Sequence, residues 1–212
     1  MQLLFRFVLQ SYYPLILSLT FLAFLLGLRI IVTGTLFYSF LAWNLFLATV
    51  PYVMTQIALF SGTARTGKLL KFTVFVLWLA FLPNAPYIIT DLIHLHNPHS
   101  DWAWFDLFMV FAYACIGLFL FVLSLADMVE ILSSVLSKRW VQFLVFTICM
   151  LSGYGIYLGR FLRFNSWDIL FKSKHLFLEI FGSLTYPYAY LMTFSFGLFL
   201  WIVFLIFRWV KQ

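Results

Sequence analysis

Phe72–Leu95 reads FTVFVLWLAFLPNAPYIITDLIHL, and how it folds decides the architecture of the whole chain. A helical span of a bilayer needs about 20 mostly apolar residues. This stretch is long enough, and its only acidic side chain, Asp91, comes near its end. Pro83 and Pro86 interrupt it about halfway and bracket Asn84. A proline inside a helix removes one backbone hydrogen bond and collides with the preceding turn. Two readings follow. One is a plain kink whose freed backbone groups are satisfied by neighbouring helices. The other is a break, with the helix ending near Leu82 and restarting at Ala85. Asn84 would then be an N-cap and Pro86 would sit in a first turn. The restarted half would begin inside the bilayer with unpaired N–H groups and a positive dipole end. Broken helices of that kind line binding sites in transporters.

The rest of the chain has the same character. Of 212 residues, 65% are hydrophobic and 9% charged, and the mean hydropathy is +1.04. Soluble domains are about 45–50% apolar and about 25% charged, so this composition cannot furnish a water-facing surface. Further apolar runs at about 13–33, 37–60, 104–126, 141–162 and 186–207 bring the number of predicted spans to six. The fold class is therefore all-α, a polytopic helical membrane protein, with one domain over 1–212 and the third span broken at Pro83–Pro86. Arg6 ahead of a long apolar run resembles a signal peptide. No small-residue cleavage site follows, and the run can span, so it reads as a retained first helix. The 28 phenylalanines suit lipid contact and packing, and Trp and Tyr at span ends suit the interfacial belt.

The net charge is +6. The basic residues sit mainly in short loops, where they orient the protein and meet anionic lipid, and no nucleic-acid module is present. With six spans both termini share a side. That side carries Arg6, Arg65, Lys68, Lys71, Lys138, Arg139, Arg208 and Lys211; the other carries Arg29, Arg160, Arg163, Lys172 and Lys174. The bias puts both termini in the cytoplasm and the loops after the third and fifth spans outside. Ile169–Phe181 alternates apolar and charged positions at helical spacing, which suits a short helix on the membrane surface as well as an ordinary loop. Cys115 and Cys149 lie in apolar runs as reduced packing residues. Asp127, Glu130, Lys138 and Arg139 read as a solvated turn.

Polar residues inside a membrane are costly and mark functional sites. Thr90, Asp91 and His94 fall within about one turn, and Asp91 and His94, three apart, share a helix face. A carboxylate and an imidazole so placed suit acid–base work or metal ligation. An Asp-x-x-His alone is a weak metal motif, with no H-E-x-x-H and no cysteine pair beside it, so the sequence names neither a metal nor a cofactor. His96, His99 and Asp101 follow in what reads as a hydrated loop. Asp106, at the start of the fourth span, is a further candidate ligand residue, although an acid there also complements the helix N-terminus.

A second constellation closes the fifth span, SGYGIYLGRFLRFNSWD from Ser152 to Asp168. Gly155 and Gly159 on one face permit a close helix approach. Arg160 and Arg163 follow, with Asn165 and Asp168. Arginines at an interface often only snorkel to headgroups. They also pair with acids such as Asp91, Asp106 or Asp168, or clamp a phosphate or carboxylate with the guanidinium fork.

Leu82–Leu95 (LPNAPYIITDLIHL), Trp104–Leu107 (WFDL) and Gly159–Asp168 (GRFLRFNSWD) together resemble the membrane-protein family catalogued as domain of unknown function 1361. The resemblance covers most of the chain. It implies a multi-pass protein of the bacterial inner membrane, with both motifs in one architecture, and it implies no activity. Three functions fit the residues. The first is a site at the outer face that binds or processes an anionic or lipid-linked ligand. In it Asp91 and His94 would handle protons, Arg160 and Arg163 would hold the anion, and Asn84, Thr90, Asp106, Asn165 and Asp168 would support them. The second is a small-solute transporter, disfavoured by the few polar residues on the inner half. The third is a structural subunit whose charges fix helix packing. Lipid is the expected partner; no protein partner can be read.

Overall fold

Among the described residues, six segments are long and apolar enough to cross a membrane: Tyr12–Thr33, Phe37–Phe60, Phe72–Leu95, Ala103–Ser133, Lys138–Arg160 and Pro187–Val210. In hydrocarbon every backbone group must be satisfied internally, so such runs become helices. The structure is a computed structural model that describes residues 2–60, 68–95, 102–166, 168, 173–183 and 185–211; of 2–11, 68–71 and 173–177 only the backbone is described. In chain order the elements are α1 (Gln2–Thr33), a 3₁₀ turn (Phe37–Ser39), α2 (Phe40–Phe60), α3 (Lys68–Phe81), α4 (Asn84–Tyr87), a 3₁₀ segment (Ile88–Leu95), α5 (Ala103–Ser133), α6 (Lys138–Arg160), α7 (Ser173–Ser183) and α8 (Pro187–Val210). Among the described residues there is no strand. Gly34, at φ +64°, stops α1 by returning its N–H to the Ile30 carbonyl, the left-handed cap that glycine accepts without penalty. Within the stretch 169–181, expected as a surface helix or a loop, a helix forms that spans Ser173–Ser183; 169–172 lie outside the described residues.

α5 is the axis of the bundle. Met109, Val110, Tyr113, Leu120, Phe121 and Leu125 are all buried along it. α1, α2, the broken third span and α6 pack around it, and α8 lies mainly against α6. Buried polar groups on this axis are paired. The Trp78 indole donates to Ser124 Oγ at 2.8 Å, and the Tyr113 hydroxyl to the Leu22 carbonyl at 3.0 Å.

Two charges differ from their sequence reading. The fourth span continues to Ser133 rather than stopping near 126, so Asp127 is not part of a solvated turn. Met128, Val129, Ile131 and Leu132 keep packing against the core and carry the helix on. Asp127 Oδ2 there accepts hydrogen bonds from Thr55 Oγ1 (2.9 Å) and Gln56 Nε2 (2.6 Å), and Tyr12 Oη donates to Gln56 Oε1 (2.7 Å). Arg29 is not a loop cation either. It is 8% exposed and forms a two-pronged pair with Asp106, Nε to Oδ1 and Nη2 to Oδ2, the latter at 2.9 Å. Tyr38 lies 5.6 Å under its guanidinium. This pair joins the end of α1 to the start of α5.

The third span is broken, not merely kinked. α3 ends at Phe81, Leu82 and Pro83 form a turn, and helix resumes at Asn84. The resumption differs from the expected half-helix. α4 has four residues, and eight residues of 3₁₀ follow it. Its N–H groups are consumed locally, Ala85 on the Leu82 carbonyl (3.2 Å) and Tyr87 on the Pro83 carbonyl (3.0 Å). Asn84 is not an N-cap. Its amide donates backwards, to the Phe81 carbonyl at 2.8 Å and to Ser166 Oγ at 2.8 Å. The break thus satisfies α3's last carbonyls rather than offering a free positive end.

Glycines make room for it. A Cβ on Gly155 of α6 would lie 2.5 Å from Pro83 Cγ, and one on Gly117 of α5 would lie 2.4 Å from the Ala85 carbonyl oxygen. One on Gly159 would press on the Tyr87 ring at 3.1 Å. The expected close approach over Gly155 and Gly159 therefore exists, and its partner is the broken segment. The tight α6–α8 crossing uses Gly153 and Gly197 instead.

Gly155→Ala is therefore expected to lower stability by about 1–3 kcal/mol through overpacking against Pro83. Gly27→Ala, where nothing lies within 4 Å of the added carbon, should not lower it, since alanine is the better helix former. Thermal melting of the two variants in one detergent checks this, and equal melting temperatures would contradict the packing.

Candidate functional site

A 3₁₀ helix has three residues per turn, so positions i and i+3 eclipse. Over Ile88–Leu95 this stacks Ile88, Asp91 and His94 in one column. Ile88 and Asp91 are buried, and Ile89, Leu92 and Leu95 pack on the core from a second column. The third column carries Thr90 and the exposed Ile93. Eight residues is long for 3₁₀ geometry, which rarely exceeds three or four.

The column brings Asp91 and His94 to the end of α6. Asp91, 1% exposed, accepts a hydrogen bond from Asn44 Nδ2 at Oδ2 (2.8 Å) and faces Arg160 Nη1 with Oδ1 (3.7 Å). The two terminal nitrogens of Arg160 lie 3.3 and 3.4 Å from His94 Nε2. A guanidinium only donates, so Nε2 carries the lone pair and the imidazole proton sits on Nδ1. Phe40 and Phe37 hold the ring, at centroid separations of 5.1 and 6.4 Å. The two motifs thus meet: Arg160 is fixed between a carboxylate and an imidazole, and Asn44 fixes the carboxylate in turn.

Beyond α6 the chain makes a strained turn. Arg163 has φ 57°, a left-handed conformation that costs a residue with a Cβ about 1–2 kcal/mol. The Phe164 N–H closes the turn on the Leu158 carbonyl at 3.2 Å. Asp168, 3% exposed, caps the following turn by accepting the Asn165 N–H at 2.8 Å. Ser166 receives the Asn84 amide, which ties this turn to the break. Among the described residues Arg163 has no hydrogen-bond or ion-pair partner. Strained residues of this kind concentrate at functional sites.

Between α2, α3 and α6 lies a cavity of about 960 Å³, within the usual size range of ligand sites. Asn44, Asn84, His94, Arg160, Arg163, Asn165 and Ser166 line its polar end. Leu47, Val76, Leu79, Ala80, Leu151 and Leu158 line its apolar limb. No acidic residue lies on its wall among the described residues.

The residues expected at a site divide into three groups. His94, Arg160, Arg163, Asn84 and Asn165 share the cavity wall. Asp91 stands behind it, buried against Arg160. Thr90, Asp168 and Asp106 are elsewhere: Thr90 Oγ1 bonds the Tyr87 carbonyl (2.8 Å), Asp168 caps its turn, and Asp106 holds Arg29. His96, His99 and Asp101 lie outside the described residues. Among those described, no three His, Cys, Asp or Glu come together in a way that could hold a metal. Asn44 was not expected from the sequence; a lone amide in an apolar run was its only signal.

The geometry ranks the supporting hydrogen bonds. Asn44→Leu removes a bond to a buried carboxylate and is expected to cost about 1.5–3 kcal/mol, against about 0.5–1.5 kcal/mol for the neutral, local bond lost in Thr90→Ala. Melting of both variants in detergent checks the order, and a costlier Thr90→Ala would contradict it.

A family model described as "Protein of unknown function (DUF1361)" matches residues 43–203. The chain belongs to that family. The match runs from α2 into α8 and leaves α1, with Arg29, outside it. No curated protein and no solved structure matches the chain.

Proposed function

We propose that this membrane protein binds an anionic group, a phosphate or a carboxylate, at the polar end of the cavity, with Arg160 and Arg163 as its cationic clamp. The observation that carries the reading is the charge on the wall: two guanidiniums and, among the described residues, no carboxylate. A cavity in a low-dielectric bundle holding that balance attracts anions. Arg160 is pre-oriented by Asp91 and His94, so little conformational freedom is lost when it engages a ligand. Arg163 still has its donors to give.

In this reading Asp91 and His94 are positioning residues. Asp91 is behind the wall, and His94 Nε2 already faces Arg160, so binding is better supported than proton transfer. The positive-inside bias would put the clamp at the outer face of a bacterial inner membrane, with both termini in the cytoplasm.

Charge-assisted hydrogen bonds contribute about 1.5–3 kcal/mol each, so Arg163→Gln is expected to weaken anion binding by about 10- to 150-fold. Calorimetric titration of inorganic diphosphate into the protein in zwitterionic nanodiscs checks this. Arg163→Gln should keep the wild-type melting temperature, since among the described residues the side chain has no partner. Equal affinity for wild type and the Arg160→Gln/Arg163→Gln double variant, or no binding by wild type, would refute the clamp.

A further inference from the structure

The clamp accounts for one end of the cavity only, and the other end is apolar and open at its side. Val76 on α3 and Leu151 on α6 both line it, yet they are 45% and 46% exposed. Both lie inside membrane-crossing helices, so the surface they present faces lipid. The seam between α3 and α6 is therefore a lateral opening. Leu47 of α2, which is buried, forms its floor.

The depth of the seam has a natural measure. Leu151 lies nine residues before Arg160 on α6, about 13 Å at a rise of about 1.5 Å per residue. The hydrocarbon core is about 30 Å thick. The limb thus runs from the charged end to about the bilayer midplane, the depth reached by a chain of one leaflet. A soluble anion would need none of this limb. A single groove between two neighbouring helices offers one chain a place.

Resting on the anion clamp argued above, we propose that the ligand is a single-chain lipid with a phosphate head. The head sits between Arg160 and Arg163, and the chain enters sideways from the leaflet and lies in the α3–α6 seam. Asn165 and Ser166 at the same end of the cavity offer hydrogen-bonding groups that suit phosphate oxygens, and Asn84, whose two N–H groups are spent on Phe81 and Ser166, keeps its Oδ1 for a hydroxyl beside them. Break and seam have one origin. Because the third span stops at Phe81 and turns under Gly155, the polar 3₁₀ segment closes the top of the groove while α3 leaves its lower part open.

The test uses the full chain in phosphatidylcholine vesicles and a single-chain alkyl phosphate carrying a diazirine near its chain end. Photolabelling is expected on Val76–Leu79 and Leu151–Gly155. It should fall about tenfold or more in Arg160→Gln/Arg163→Gln, the loss expected for charge-assisted bonds. Val76→Trp/Leu151→Trp fills the seam at two half-exposed positions that tolerate bulk. It should abolish labelling there while inorganic diphosphate still binds with wild-type affinity. Labelling spread over lipid-facing positions of α1 and α8, or unaffected by the tryptophans, would overturn the chain assignment and leave a clamp for a soluble anion. Failure of wild type to bind either diphosphate or the alkyl phosphate would overturn the clamp and, with it, the lipid.

Discussion

A helix broken inside a bilayer has carbonyl and N–H groups that water cannot reach, and the rest of this molecule is arranged around that constraint. Pro83 and Pro86 withdraw two donors from the third span. The carbonyl left at Phe81 is taken by the Asn84 amide, and Ala85 and Tyr87 turn back on Leu82 and Pro83. Such a turn is tolerable only when shielded by protein. Shielding demands close contact, which is why glycines stand at 117, 155 and 159 on the two helices that flank it.

From this packing the site follows. Seating Pro83 on Gly155 and Tyr87 on Gly159 draws the broken span along the last turns of α6. The 3₁₀ segment then carries Asp91 and His94 to Arg160, and the diverted chain opens a groove below. The Arg29–Asp106 pair plays a different part. It fixes α1 to α5 at the same end of the bundle, away from the cavity. Removing one member would strand a buried charge at a cost of about 3–5 kcal/mol. Since α1 is outside the family match, this pair joins a helix peripheral to the family pattern to its central one.

Much of this was legible in the residues. Six apolar runs gave six spans because hydrocarbon leaves the backbone little choice. The paired prolines marked the break to within a residue, and the two polar motifs proved to be neighbours. What was not legible depended on partners far along the chain. Asn84 looks like a cap by type, but which way its amide points is set by Ser166. Gly155-x-x-x-Gly159 announces a close approach without saying to what. Asp127 resembles a loop acid because the fourth span outlasts its most apolar part. Arg29 had a signal that could have been used: it falls inside a span, and an intramembrane arginine requires a carboxylate nearby. Asn44 is a single amide whose role exists only beside Asp91. Asp127, Thr55, Gln56 and Tyr12 form a hydrogen-bonded cluster at the end of the bundle opposite the clamp, a pairing set by residues far apart in the chain.

The central claim is that the break delivers Asp91 to Arg160. Solid-state NMR on the protein in liposomes, with labelled arginine and aspartate, reads that contact as a dipolar coupling between the Arg160 guanidinium nitrogens and the Asp91 carboxyl carbon. The account predicts a strong direct coupling, in keeping with an N–O separation of 3.7 Å, which weakens when Gly155→Ala pushes Pro83 away. No coupling in the wild-type protein, or one indifferent to that added methyl, would contradict it.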